Sequence, residues 1–216
     1  MNPQRHRQIV NIKDKKGRLL LSHSGPLKDA QFEKVCLQSA VLAGMDLSCA
    51  NFLESKLQGA NLGGASLARA VLTLADLQSA DLHDCDLTEV IAEGTDFMDA
   101  NLEGSRLIRA DCYGAVFLFS NCVGADFQGT ILRGASMQGA NLQGANLTGA
   151  DMRPDNIGHR TSLEKANLTG ANLTAANMEG VILSEVILDG AIYTNKTIFP
   201  LGFTPQHHNM VYRKQE

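Results

Sequence analysis

Counting in fives from Leu27 reaches 26 positions by Met152, and every one holds Leu, Phe, Met or Cys except Ala92. No other feature of the chain restricts its fold so tightly. A five-residue period matches neither the 3.6 of a helix nor the 2 of an isolated strand. It suits a backbone that turns a corner every five residues, burying two side chains per side and exposing three. The companion positions agree. Two residues before each centre, 16 of the 26 places are Ala, and Ser55, Thr95, Ser105, Ser120 and Thr130 are also small. One residue before, Asn and Asp are commonest, and two after, Gly recurs at 104, 114, 124, 129, 134, 139, 144 and 149. Four sides close a square coil, and stacking coils pairs the backbone groups of each with the next. Such a coil cannot bury a core alone, which is the condition for a solenoid.

Square coils put residues twenty apart on one side. Phe97 then shares a coil with the undersized Ala92, and Phe117 with the small Cys112 and Cys122. Large centres offset small ones within a coil, as close packing requires. Around Pro154 the frame slips by one residue and resumes at Leu163, running through Leu168, Leu173, Met178, Leu183, Leu188 and Tyr193 to Ile198. With Ile157 filling one place, the sequence predicts nearly nine coils and a rod of about 40 Å at a strand spacing of about 4.8 Å.

The phased Ala-(Asn/Asp)-Leu-x-Gly units, as in ANLQGANLTGAD, resemble the pentapeptide repeat family over roughly 25–198. The resemblance implies an all-β, right-handed quadrilateral β-helix and says little about function, because one fold hosts many roles. Open ends of such a rod are sheet edges that need covering. QIVNIKDKKGRLLLSH, with its Lys-Gly turn, reads as an N-terminal β-hairpin cap, and TIFPLGFTP resembles the closing segment that follows the last repeat in other members. The chain divides into a basic segment and hairpin cap (1–24), the repeat β-helix (25–198, interrupted by a loop at 153–162), and a closing cap and tail (199–216).

The net charge of −4 is unevenly spread: +5 over 1–24, −11 over 25–193 and +2 over 194–216. The opening residues have no apolar stretch long enough for a signal peptide or a span. Five cysteines, odd in number and with no CxxC pair, fit free thiols better than a disulfide frame. The expected location is the cytoplasm.

Three surface features depart from the bare repeat. First, Val116, Phe117, Leu118 and Phe119 run together. Phe117 is a centre and points inward, leaving Val116, Leu118 and Phe119 outside, with Met98 one coil earlier and Tyr113 and Val123 on flanking sides. This is either a scatter of ordinary surface hydrophobes or a contact patch for a protein partner or a second copy. Second, the interruption MRPDNIGHRTS offers Arg153, Asp155, His159 and Arg160 on a loop, suited to an anion or a partner's carboxylate, unless it is a tolerated bulge. Third, Thr73 to Gly104 carries nine acids and no Lys or Arg. Beyond the Asp residues the repeat itself supplies, the surplus is Asp84, Glu89, Glu93, Asp99 and Glu103. The resemblance allows a DNA mimic acting on gyrase, as in the quinolone-resistance members; the simpler account is a solvated acidic face.

No catalytic set is visible. His83 points out where Cys85 points in, so they form no nucleophile and base pair. Cys112 and Cys122 occupy core positions, and His207 and His208 have no third ligand at metal spacing. Asn61, Asp81, Asn101, Asn121 and Asn141 stack on one side, where bonds to local backbone account for them. The basic residues Arg5, Arg7, Lys13, Lys15, Lys16 and Arg18 lack interleaved aromatics, so direct nucleic-acid binding is not expected. The sequence predicts a non-enzymatic interaction scaffold that needs no cofactor or metal and has a protein partner, with modulation of a type II topoisomerase as the alternative.

Overall fold

The computed structural model describes residues 9–214; of the basic N-terminal residues, Arg5 and Arg7 lie outside them. From Leu27 onward each corner is a β-turn. The centre residue's carbonyl accepts from the amide three residues on, as from Ala30 N to Leu27 O (3.2 Å) and from Ala100 N to Phe97 O (3.0 Å). The third residue of the turn has positive φ, 65° at Gly104 and 56° at Phe119. This is type II geometry, which explains the recurrent glycine. Where a side chain takes that place, as Phe119 does, the left-handed conformation costs about 1–2 kcal/mol.

Four corners make a coil. Gln31 bridges Asn51, Asn51 bridges Val71 and Val71 bridges Ile91, all in parallel, and the same spacing of twenty continues to the pair Ile131 and Asp151. Each side is so short that it forms one bridge rather than a strand. The amide of Phe32 donates to Asn51 O (2.7 Å) and that of Asn51 to Ala30 O (2.9 Å), so the coils satisfy one another's backbone. Inside, the centres and the small residues two before them are buried along the rod. Phe117 stacks on Phe97 (4.8 Å between ring centroids, 10° between planes) and meets Phe127 from the opposite side edge-on (5.9 Å, 80°). Buried threonine hydroxyls reach carbonyls of the preceding coil, Thr95 Oγ1 donating to Leu72 O (2.7 Å) and Thr130 Oγ1 to Leu107 O (2.6 Å), while Ser105 and Ser120 bond within their own coil.

Two details of the phasing need correction. Ile157 fills no inward place; it stands 76% exposed at the tip of the interruption. The bridge from Ser136 goes to Ser162, a step of 26 where the repeat steps 20, so six extra residues loop out between Asp151 and Ser162. A second slip follows Tyr193. Asn172 pairs with Ile192, but Asn177 pairs with Ile198, so Ile198 sits one place before the centre and is 49% exposed. Phe199 takes the inward place and packs against the core. Eight and a half coils result.

The ends are closed as a rod of sheet edges requires. β1 (Ile9–Lys13) and β2 (Leu19–Ser24) form an antiparallel hairpin. It docks on the first coils through the amide of Lys15 to Ser39 O (3.1 Å) and that of Val41 to Lys13 O (2.8 Å), and Ile12 is fully buried beneath it. Asp14 anchors the hairpin turn. Burial works against its ionisation, but Arg18 and the amides of Arg18 and Lys16 outweigh that and hold its carboxyl below the usual range. At the other end β3 (Ile192–Tyr193) pairs in parallel with β4 (Val211–Tyr212). Between them lie a 3-10 turn at Pro205–His208 and the stacked rings of Phe199 and Phe203 (5.0 Å).

Candidate functional site

The four sides differ in what covers them, and the side centred on Phe117 changes character along its length. In the earlier coils Gln58 Nε2 donates to Asp76 Oδ2 and Gln78 Nε2 to Asp96 Oδ2 (2.7 Å), a ladder of side-chain amides to the carboxylate one coil on. At the next two steps the same columns hold Met98 beside Val116, then Leu118 beside Ser136. The ladder stops and an apolar strip replaces it. Met98, Val116 and Leu118 are half-buried. Phe119, at the corner, is 65% exposed. Its ring packs against Gly139, where an added Cβ would come within 2.6 Å of it. The structure therefore brings Met98, Val116, Leu118 and Phe119 together. It puts Tyr113 on the neighbouring Cys112 side and Val123 on the opposite neighbour, the Cys122 side.

Tyr113 has another partner. Its Oη donates to Asp155 Oδ2 (2.8 Å), 42 residues away in the loop. Asp155 Oδ1 accepts the amides of Ile157 (2.9 Å) and His159 (2.8 Å), and His159 Nδ1 lies 2.8 Å from Oδ2. Burial again opposes the charge, but these donors prevail and bring the Asp155 carboxyl to about 2. Arg153 and Arg133 both grip Asp151, whose carboxyl they hold well below the ordinary range against the cost of burial. Arg160 Nε donates to Gly180 O, and the Pro154 ring covers Gly180. So Arg153, Asp155 and Arg160 fasten the loop to the rod, His159 closes the loop on Asp155, and Ile157 stands exposed at its tip.

Because the folded carboxyl of Asp155 lies below its usual value of 3.8, its contribution is complete above about pH 4 and lost as pH falls toward about 2. The amide chemical shifts of Ile157 and His159 are expected to titrate in that window. Asp155→Asn should abolish the transition; its persistence there would assign it to another carboxylate.

The surplus acids are dispersed. Asp84 and Glu103 share the Cys122 side and its corner, Glu93 is on the Cys112 side, and Asp99 is at the corner before the Phe119 column step. Glu89 is held between Arg69 (2.8 Å) and Arg109, which lower its carboxyl. The Asn and Asp column on the Cys122 side is a ladder: Asn101 Nδ2 donates to Asp81 Oδ1 (3.1 Å) and Asn121 Nδ2 to Asn101 Oδ1 (3.1 Å), while each Oδ1 accepts a local amide. Cys85 is buried, its Sγ 2.9 Å from Leu62 O, and burial pushes its thiol up to about 12, as it does for Cys122. His83 is outside, bonded to Asp81 Oδ1 (2.8 Å). Among the described residues no group of three His, Cys, Asp or Glu side chains is placed to hold a metal ion. None of their helices is long and apolar enough to cross a membrane.

Sequence reasoning missed the cleft beneath the loop. It lies on the Cys112 side between Ile157 and the column of Glu93, Tyr113 and Arg133. The alternation Ile91, Asp111, Ile131 at steps of twenty was the available signal.

Among solved structures, the chain resembles the pentapeptide repeat protein alr5209 from Nostoc Pcc 7120 (28% identity, 50% of this chain and 84% of that one, TM-score 0.47). It also resembles HetL, a pentapeptide repeat protein involved in heterocyst differentiation regulation from Nostoc sp. strain PCC 7120 (24%, 81% and 94%, TM-score 0.27). A third is full-length QnrB1, a plasmid-mediated fluoroquinolone resistance protein (14%, 87% and 91%, TM-score 0.41). No curated protein sequence matches it. The family pattern described as pentapeptide repeats matches in 8 copies, over 27–63, 55–91, 95–134, 120–153 and 159–192. With square parallel coils, type II corners and a filled core of centre residues, the chain belongs to the pentapeptide repeat family and folds as its right-handed quadrilateral β-helix.

Proposed function

We propose that the chain is a non-catalytic protein-interaction scaffold whose contact surface is the apolar strip of Met98, Val116, Leu118 and Phe119. The observation that carries this reading is the break in the Gln–Asp ladder. On this side of the rod a run of side-chain amides bonded to carboxylates gives way to an apolar strip. Phe119 sharpens it: a large aromatic takes a left-handed turn position that glycine fills in the neighbouring column, and stays 65% exposed there. Exposed rings on rigid backbones lose little conformational freedom on binding, which is what a contact anchor requires.

The test is solution mass by light scattering with co-purification, on the wild type and on the double variant Leu118→Asp, Phe119→Asp. The wild type is expected to self-associate or retain a protein partner. The variant should lose that association by at least about tenfold while keeping its β-sheet spectrum. A wild type that is a partner-free monomer of 23.2 kDa, with a variant indistinguishable from it, would sink the strip as a contact site.

The second reading, modulation of a type II topoisomerase through Asp84, Glu89, Glu93, Asp99 and Glu103, rests on the net charge of −11 over 25–193. What weighs against it is the dispersal of these acids around the rod and the two arginines on Glu89. A supercoiling assay with purified gyrase separates the two readings, since a scaffold that binds through the apolar strip leaves the enzyme's rate unchanged.

A further inference from the structure

On the Cys112 side the loop overhangs the rod and encloses an open cleft of about 480 Å³. Two kinds of wall meet there. Ile131, Ile157 and the ring of Tyr113 present apolar surface, each of them exposed at the rim. The remaining walls are mostly charged, and two of those groups are already engaged: Arg133 shares Asp151 with Arg153, and Asp155 is held by Tyr113, His159 and two amides. Two others are not. Glu93 makes no side-chain hydrogen bond or ion pair among the described residues. Asp111 accepts only the amide of Tyr113 (3.1 Å). The cleft therefore offers two open carboxylates beside an aromatic ring and two isoleucines.

We infer that this cleft receives an arginine side chain of a partner protein. Arginine has the matching parts: an aliphatic stem that lies along apolar surface, and a planar head that stacks on an aromatic face and donates to more than one carboxylate. A lysine ammonium has the charge but not the flat fork, and an anion meets the wrong sign. The inference rests on the reading of the chain as a protein-binding rod and adds the chemistry of what it binds. Its surface is separate from the Phe119 strip, with the loop between the two.

The test is a titration of the full chain, followed through the methyl signals of Ile131 and Ile157. The probes are the blocked tripeptide Gly-Arg-Gly and its lysine and citrulline counterparts. The arginine peptide is expected to shift both methyls with a dissociation constant on the order of millimolar, the lysine peptide to bind more weakly, and the uncharged citrulline peptide to leave them unmoved. Glu93→Gln and Asp111→Asn should each weaken the arginine peptide about threefold, the size of a half-exposed ion pair, and added salt should weaken it further. Equal shifts from citrulline, tighter binding of lysine, or no shift from arginine would each overturn the assignment. Failure here is distinguishable from failure of the scaffold reading. The Leu118→Asp, Phe119→Asp variant keeps this cleft intact, so loss of partner there with no arginine response here condemns the cleft alone. An arginine response in a chain that has no partner condemns the strip alone.

Discussion

Phe117→Ala is expected to destabilise the rod by about 3–5 kcal/mol, the range for removing a fully buried aromatic ring. At about 2–4 °C per kcal/mol for a chain of this size, the midpoint of thermal unfolding should fall by about 10 °C. The ring lies against Phe97 on the preceding coil and reaches Phe127 on the opposite side, so it fills the middle of its coil. Its neighbours there, Cys112 and Cys122, are too small to close the void. The backbone cannot close it either, because Phe117 N is fixed to Ser136 O (2.7 Å) and Ser136 N to Ala115 O (3.0 Å). Stacked repeats are held by nearest-neighbour terms, so a weak central coil should also broaden the transition as the two halves uncouple. Phe119→Ala, two residues away, supplies the contrast. It removes an exposed ring and leaves the left-handed backbone as it was, so its effect should stay within about 1 kcal/mol. If the two variants melted alike, the assignment of one ring to the core and the other to the surface would be wrong.

That contrast was legible in the sequence, because period five assigns Phe117 inward and Phe119 outward without any coordinates. The hairpin cap, the square phasing and the pairing of Ala92 with Phe97 in one coil were legible for the same reason: each follows from local spacing. The interruption was not. Ile157 falls five residues after Met152, so counting alone places it in the core. Only the pairing of Ser136 with Ser162 reveals that six residues leave the frame together. The slip at Ile198 escaped for a similar reason, since Ile198 and Phe199 are both apolar and spacing alone favours the first. The candidate surfaces were half legible. The strip of Met98, Val116, Leu118 and Phe119 follows from phasing. The assignment of Tyr113 to the loop does not, because its bond to Asp155 spans 42 residues and depends on how the loop folds back. The loop's charges look free for a ligand in the sequence, whereas the structure pairs each of them within the chain, Asp155 buried and His159 and Arg160 at the surface.

Ala92→Leu should cost about 1–3 kcal/mol, the usual penalty for forcing extra methyl groups into a filled core. Ala92 is fully buried and lies in its column between Leu72 and Cys112, with Phe97 at the next place of the same coil. If the Phe97 ring occupies the volume that a leucine at 92 would need, Phe97→Leu should restore it. Phe97→Leu alone loses the stack on Phe117 and should cost about 1 kcal/mol. The double variant should then be more stable than the sum of the single changes allows, by at least about 0.5 kcal/mol, measured as a coupling in denaturant unfolding. Additive costs would mean that the coil adjusts around Ala92 by some other route and that the matching of large with small centres carries no energy. A positive coupling would show that the unit of packing is the whole coil rather than the single five-residue step. That distinction matters for the strip as well. If coils pack as units, the Phe97–Phe117 stack fixes the level at which Met98 and Leu118 stand, and core changes that spare the surface residues would still shift the proposed contact face.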